Sequence, residues 1–147
     1  MKKLSLSLTL LPIDRPLPKG QLPSAIIRLS NDGDDMILVN GRMLLVPAGS
    51  PGTINELNLF VVGPPGSFSL KRFAVNAGQA RAENFIGLAP GQYIERDYVL
   101  NDYFYYDQPG QYTAKATYHN EIAFESSGYK SWQGDLESNV VNFEMSE

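Results

Sequence analysis

Between Gly110 and His119 the side chains alternate without a break: Tyr112, Ala114, Ala116 and Tyr118 share one face, and Thr113, Lys115, Thr117 and His119 share the other. A period of two is that of a strand with one face on a core and one in water. The small alanines fit a tightly packed central position. Just before this run, Asp107, Pro109 and Gly110 supply turn chemistry: a side chain that caps its own backbone, a fixed φ, and freedom for positive φ. A Tyr two residues after a Gly, opening a strand with a small residue two further on, matches a tyrosine corner, in which the phenol hydroxyl bonds to backbone upstream. The competing reading is an ordinary strand aromatic whose hydroxyl reaches solvent.

The same period recurs along the chain. Leu4, Leu6, Leu8 and Leu10 alternate with Ser5, Ser7 and Thr9. The run follows Met1-Lys2-Lys3, but it is short, polar on one face and lacks a small-residue cleavage site, so it reads as a first strand rather than a signal peptide. Ala25, Ile27 and Leu29 face one way, Asn31-Asp32-Gly33-Asp34 turns, and Met36 to Val39 runs on, which predicts a β-hairpin. The aspartates at 32, 34 and 35 lack the full alternating ligand series of a calcium loop and its distal Glu, so the turn reading is preferred. Leu57, Leu59 and Val61 predict another strand, ended by Gly63-Pro64-Pro65-Gly66. Ser67 to Leu88 reads as short strands and loop, with room for one helical turn within Ala77 to Phe85. A strand is expected from Gly91 to Leu100, with Ile94, Arg96, Tyr98 and Leu100 on one face. Asn120 to Ser138 reads as a long polar excursion, and Val141, Phe143 and Met145 line a closing strand. With no convincing helix and no fixed-period repeat, the economical fold is all-β: one domain over 1–147, an antiparallel β-sandwich of about seven to nine strands.

Composition bounds the function classes. At 147 residues the chain can bury a real core without covalent staples. The net charge of -4 is spread without blocks, which argues against nucleic acid or an anionic membrane surface as partner. No segment is long and apolar enough to predict a membrane span. There is no Cys, which removes disulfides, thiolate metal sites and Cys nucleophiles together. The compartment stays open: cytoplasmic as the sequence stands, or secreted or periplasmic if a signal peptide has been removed.

Several short patterns resemble a known family. L-x-P-G-Q at 88 to 92, Asp102-Tyr103, P-G-Q-Y at 109 to 112, A-x-Y at 116 to 118, W-x-G at 132 to 134 and S-N-x-V-x-F at 138 to 143 resemble bacterial immunoglobulin-like β-sandwich domains, which occur alone and beside deuterolysin-type metallopeptidases. R-L-S-N-D-G-D at 28 to 34 and V-x-G-P-P-G at 61 to 66 are similar to the opening of these modules and of the intracellular proteinase-inhibitor family. The matched positions are turn and core positions, so the resemblance implies an immunoglobulin-like fold and carries over no functional residue. The peptidase's H-E-x-x-H helix is absent.

The residues themselves offer little chemistry. His119 is the only histidine, no G-x-S-x-G elbow occurs, and neither phosphate-binding glycine motif is present. His119 reads as an exposed strand-end residue that Glu121 or Asp102 could join by accident of fold. No cofactor or metal is expected, and the chain reads as a non-catalytic binding or structural module contacting another protein, a protease or an adjoining domain. The expected contact residues are the aromatics Tyr103, Phe104, Tyr105 and Tyr106 of the corner, with Tyr129 and Trp132 of the excursion, while Tyr112, Gly110 and Asp107 are expected to be structural. Exposed rings suit such a role because each offers a large, stiff contact area with a polar tip. Two alternatives remain: a protease inhibitor presenting Pro47 to Thr53 or Ser126 to Gly134, and a carbohydrate-binding module stacking rings on sugars.

Overall fold

The computed structural model describes residues 3–11, 16–18, 21–47, 56–65, 68–70, 78–106 and 108–146, with backbone alone at 68–70, 105 and 106. Its strands in chain order are β1 (Leu4–Leu11), β2 (Ser24–Asn31), β3 (Ile37–Asn40), β4 (Leu45–Pro47), β5 (Leu57–Val62), β6 (Phe68–Leu70), β7 (Phe85–Leu88), β8 (Tyr93–Val99), β9 (Phe104–Tyr106), β10 (Gly110–Asn120), β11 (Glu125–Ser126), β12 (Tyr129–Lys130), β13 (Gly134–Glu137) and β14 (Val141–Met145). Helical structure among the described residues is limited to two 3-10 turns, Ala82–Asn84 and Leu100–Asp102.

Two main sheets form the layers. One has the order β1-β2-β8, antiparallel throughout. In the other, β10 is central: β5 lies on one edge, followed by β4, and the opposite edge is shared by β13 and β14. The leucines of β1, the apolar positions of β2 and the Tyr112-Ala114-Ala116-Tyr118 face of β10 meet in one continuous core. That alternation decides register as well as strand identity, because a slip of one residue would turn every apolar side chain to water.

This pairing has immunoglobulin topology. β1, β2 and β8 occupy the places of strands A, B and E, and β5, β10 and the β13/β14 edge occupy those of C, F and G. At the start of β10 the Tyr112 hydroxyl donates to the Gln108 carbonyl at 2.6 Å, and its ring stacks on Phe143 with centroids 5.1 Å apart, which is the geometry of a tyrosine corner. Gly110 sits there with φ of +139°, and a Cβ on it would lie 2.8 Å from Pro64 Cγ, so both space and backbone require glycine.

The last strand is interrupted. β13 pairs with the end of β10 and β14 with its beginning, and the chain jogs at 138–140 between them. Ser138 holds the jog to β10: its amide donates to the Ala116 carbonyl and its Oγ accepts the Ala116 amide, both at 2.8 Å. Asn139 reaches the other sheet, where its Oδ1 accepts the Leu8 amide at 2.9 Å and its Nδ2 donates to the Leu8 carbonyl at 3.0 Å. One side chain thus serves as a strand partner on the open edge of β1. The edge of β14 is covered by Leu17, whose amide donates to Glu144 O and whose carbonyl accepts the Ser146 amide, each at 2.9 Å. Prolines at 16 and 18 suit that edge position, where a missing amide proton leaves no ladder bond unmade.

Three expectations need correction. The hairpin of β2 with β3 does not form: both edges of β2 are taken by β1 and β8, and β3 pairs with β7 instead. The Asn31 turn redirects the chain to another layer, its Nδ2 donating to Asp35 O at 2.8 Å and to Leu88 O at 2.7 Å. The strand expected from Gly91 to Leu100 spans Tyr93–Val99, and Leu100 is buried from a 3-10 turn rather than from the strand. Phe104, expected at the surface, is 2% exposed and belongs to the main core, while the backbone of its strand β9 pairs with β6.

Candidate functional site

At the end of the sandwich where β10 finishes and β5 begins, residues 32–47 and Glu56 of the connection from β2 to β5 meet the connection 121–133. These correspond to the B–C and F–G connections, which in immunoglobulin variable domains carry recognition loops. All four residues of β3 are buried, so the chain delivers Asn40 into the interior before it reaches Gly41, Arg42 and Met43. A Cβ at Gly41 would lie 3.0 Å from Ile86 Cδ1, which keeps this passage tight. Met43 is buried with φ of 50°, a left-handed conformation that is costly for a residue with a side chain.

That turn wraps a carboxylate. Glu56 is 7% exposed, and a charge so placed requires partners. Arg42 Nε lies 2.9 Å and 3.0 Å from its two oxygens, and Arg42 Nη2 bonds Oε1 as well, completing a two-pronged pair. Asn40 Nδ2 donates to Oε1 at 3.1 Å and the Leu44 amide to Oε2 at 3.3 Å. Arg42 also donates to the Gly78 carbonyl at 3.0 Å, tying in the segment before β7.

Tyrosines from both sheets hold the carbonyls of the same turn. Tyr118 of β10 donates to Asn40 O at 2.9 Å, and Tyr98 of β8 donates to Met43 O at 2.5 Å. Arg96, on the same face of β8, reaches Gly41 O at 3.5 Å, which accounts for a charged residue among the inward positions of that strand. Burial pushes both phenols well above the usual tyrosine range; the charge on Glu56 adds to the effect, and for Tyr118 the bond to Asn40 opposes it.

Beside this cluster lies a cleft of about 110 Å³, lined by Asn40, Arg42, Glu56, His119, Asn120 and Glu121 together with Gly78, Gln79, Ala80 and Ile122. Asn120, the last residue of β10, donates through Nδ2 to Trp132 O at 2.7 Å and Ile122 O at 3.2 Å. Its Oδ1 is buried and has no hydrogen-bond partner among the described residues. His119 contacts Asp135 at 2.6 Å through Nδ1 and Glu121 at 3.6 Å through Nε2, so of the two companions expected from sequence it meets Glu121, and Asp135 joins it instead of Asp102. Among the described residues no three histidine or carboxylate side chains are arranged to hold a metal ion.

From the cleft the chain runs into a small hairpin of β11 and β12. Ser127 and Gly128 form its turn with φ of 53° and 80°, both positive as a two-residue type I′ connection requires. All of 125–130 is exposed. The hairpin stands on a side core of Leu38, Ala80, Phe85, Ile122 and Phe124, where Phe85 and Phe124 stack at 4.8 Å. Ser131 ties its base: its Oγ accepts the Phe124 amide at 2.9 Å and donates to Ile122 O at 2.8 Å.

The aromatics expected to make contacts do not form one patch. Tyr103 is half-buried against the core, and burial with the neighbouring Asp102 raises its phenol. Phe104 is core, and the side chains of Tyr105 and Tyr106 lie outside the described residues, as does Asp107. Trp132 is half-buried with its ring tilted against Tyr118 at 5.7 Å, whereas Tyr129 on the hairpin is 44% exposed. The corner aromatics precede β10 and Tyr129 follows it, and an eleven-residue strand separates its two ends by roughly 35 Å. Asn40, Arg42, Glu56 and Asn120 were not singled out by the sequence, since polar residues that end strands carry no periodic signal. The Ser127-Gly128 dipeptide was the one available pointer to the hairpin.

Fold and site together define an all-β, immunoglobulin-type sandwich module with an elaborated B–C and F–G end. Comparison with protein-family models gives no match, and comparison with curated proteins gives none either. One similar solved structure is native alpha-2-macroglobulin from Escherichia coli, spanning domain MG7 to the C-terminus, at 12% identity and a TM-score of 0.43. The alignment covers 99% of this chain and 17% of that one.

Proposed function

We propose that this domain is a non-catalytic recognition module that engages a protein partner with the end of the sandwich formed by 32–47, Glu56 and 121–133. The observation that carries the reading is the β11–β12 hairpin: six exposed residues on a tight turn, anchored by a dedicated side core, beside a cleft floored by a rigid polar cluster. A projection that is exposed at its tip and fixed at its base loses little conformational freedom on binding, which favours recognition. The inhibitor alternative through Ser126 to Gly134 fits less well, because that segment turns tightly at Ser127-Gly128 and is bonded at Ser131 rather than extended. Of Pro47 to Thr53, only Pro47 lies within the described residues, as the last residue of β4. For carbohydrate binding, Tyr129 alone among the described residues supplies an exposed ring at this end.

The test is capture of a partner by photo-crosslinking from positions 126 and 129, followed by affinity measurement with purified components. Replacing Tyr129 and Lys130 together by serine should weaken binding at least about tenfold, the scale of one interface anchor. Replacing Phe60 and Val62, exposed on the outer face of β5, should leave affinity unchanged. The opposite pattern would place the interface on the sheet face and sink the reading. Near-stoichiometric inhibition in a protease panel would favour the inhibitor alternative.

A further inference from the structure

We infer that the free edge of β8 takes an extended segment of another protein as an added antiparallel strand, one that sets a lysine or arginine opposite Asp97 and apolar side chains opposite Tyr93 and Val99. β8 takes no part in the β11–β12 hairpin, and the inference does not rest on the recognition role proposed above.

The register of β8 decides which of its main-chain groups are free. At its start the Gly91 amide donates to Asn31 O and the Asn31 amide to Gln92 O, each at 2.9 Å, with Gly91 at φ of +83°, which is a glycine bulge. Ladder bonds alternate from there, so Leu29 with Ile94, Ile27 with Arg96 and Ala25 with Tyr98 are the bonded pairs. The amides of Glu95, Asp97 and Val99 and the carbonyls of Tyr93, Glu95 and Asp97 are left on the other side. Among the described residues none of these has a main-chain partner, since β8 ends its sheet. One has a substitute: Arg96 Nη1 donates to Glu95 O at 3.0 Å. The edge of β1 is guarded by Asn139 and that of β14 by Leu17, whereas Tyr93, Arg96, Asp97 and Val99 of β8 all stand exposed.

Charge selects the occupant. The side chains of Tyr93, Glu95, Asp97 and Val99 share the outer face of the sheet with Arg28, whose guanidinium lies 3.9 Å from the centre of the Tyr93 ring. Glu95 is already committed to Arg28, at 2.6 Å and 2.8 Å. Asp97 has no charged partner among the described residues, and Tyr93 and Val99 are 51% and 55% exposed. A second copy of this chain fits badly. Opposed residues of an antiparallel pair share a face, so self-pairing of this strand about Glu95, Arg96 or Asp97 sets carboxylates against each other in every case. A basic side chain opposite Asp97 turns that repulsion into attraction, while the main chain of the added strand meets the free row of donors and acceptors. Arg96 then yields Glu95 O to the incoming amide and keeps its contact with Gly41 O.

The probe is the end-blocked heptapeptide Val-Thr-Lys-Thr-Thr-Thr-Tyr, which in antiparallel register sets its valine opposite Val99, its lysine opposite Asp97 and its tyrosine opposite Tyr93. It is titrated into the intact ¹⁵N-labelled chain and followed by amide hydrogen exchange. Binding should saturate and slow exchange at least about tenfold at the amides of Glu95, Asp97 and Val99, while those of Ile94, Arg96 and Tyr98, already bonded to β2, change little. Methylating the amide nitrogen of the peptide's lysine, which would donate to Asp97 O, should abolish binding; methylating that of the next threonine, which points away, should not. A peptide with glutamate in place of lysine should bind about 2- to 5-fold more weakly, the worth of a solvent-exposed ion pair, and Asp97→Lys should reverse the preference. The inference is overturned by absence of saturable binding, by protection that does not alternate along β8, by equal tolerance of the two methylated peptides, or by a charge preference that Asp97→Lys leaves unchanged. The same alternating protection appearing without peptide as the chain is concentrated would make a second copy the occupant and overturn it as well.

Discussion

Replacing Arg42 with methionine keeps the length of the side chain and removes its charge and all its donors. In the native protein Glu56 accepts from Arg42 at both oxygens, from Asn40 at Oε1 and from the Leu44 amide at Oε2. Without the guanidinium, one donor remains per oxygen and a buried negative charge is uncompensated. The expected loss is about 3–5 kcal/mol, and since the two side chains are only 16% and 9% exposed, solvent screening discounts this little. Exchanging Glu56 for glutamine in the same background removes the charge while leaving an acceptor for Asn40, so the double variant should recover part of the loss. The coupling energy between the two sites should be at least about 1 kcal/mol. Equilibrium urea unfolding at neutral pH measures each corner of the cycle, with an unchanged slope as the check that only stability has moved. A single-variant loss under about 1 kcal/mol with additive effects would show the pair to be hydrated like an ordinary surface ion pair, and the reasoning about this end of the sandwich would be refuted.

Tyr118→Phe should cost about 1–3 kcal/mol in urea unfolding, because Asn40 O is buried, whereas Tyr112→Phe should cost about 1 kcal/mol, because Gln108 is exposed and water can replace the hydroxyl; equal losses would count against this. Folded-state phenol pKa values raised at Tyr98 and Tyr118 make their contribution fully present below the unfolded value near 10 and lost as pH rises above it. Ultraviolet titration should accordingly show these two tyrosines ionising only with unfolding, and early ionisation of all eight would contradict their burial. Asn139→Ala should speed hydrogen exchange at the Leu8 amide, while Asn139→Asp, which retains an acceptor, should preserve much of its protection; equal exchange in both would show that the Asn139 oxygen does not protect that amide. Met43→Gly should be less destabilising than Met43→Ala by about 1 kcal/mol, since both lose the buried side chain but only glycine relieves the left-handed backbone; the reverse order would mean that the strain is absent.

Strands were legible wherever one face is buried and the other wet. The alternations of β1, β2, β5, β10 and β14 are read directly from the sequence, and the Gly-x-Tyr step marked the corner. Partners were not legible where turn chemistry alone spoke. The Asn31 to Asp34 turn reports a change of direction, and whether β3 returns to β2 depends on edges already filled by residues at 4–11 and 93–99. Phe104 was misplaced for the same reason, since its burial comes from the main core, which is assembled from strands far away in sequence. The polar cluster escaped notice because Asn40, Arg42 and Glu56 have no spacing rule; only the tertiary fold brings a carboxylate at 56 to a guanidinium at 42.

The bonds between Asn139 and Leu8 join residues 131 positions apart, and those between Leu17 and Ser146 join residues 129 apart. Such contacts return nothing until nearly the whole chain is available and a very long loop has been closed. During synthesis β1 would therefore emerge early, pair with β2, and wait with its outer edge unguarded until the jog at 138–140 arrives. Folding should be slow, in the millisecond-to-second range typical of sandwiches dominated by non-local pairing. The waiting interval is when that open leucine-rich strand is most exposed to pairing with another nascent copy.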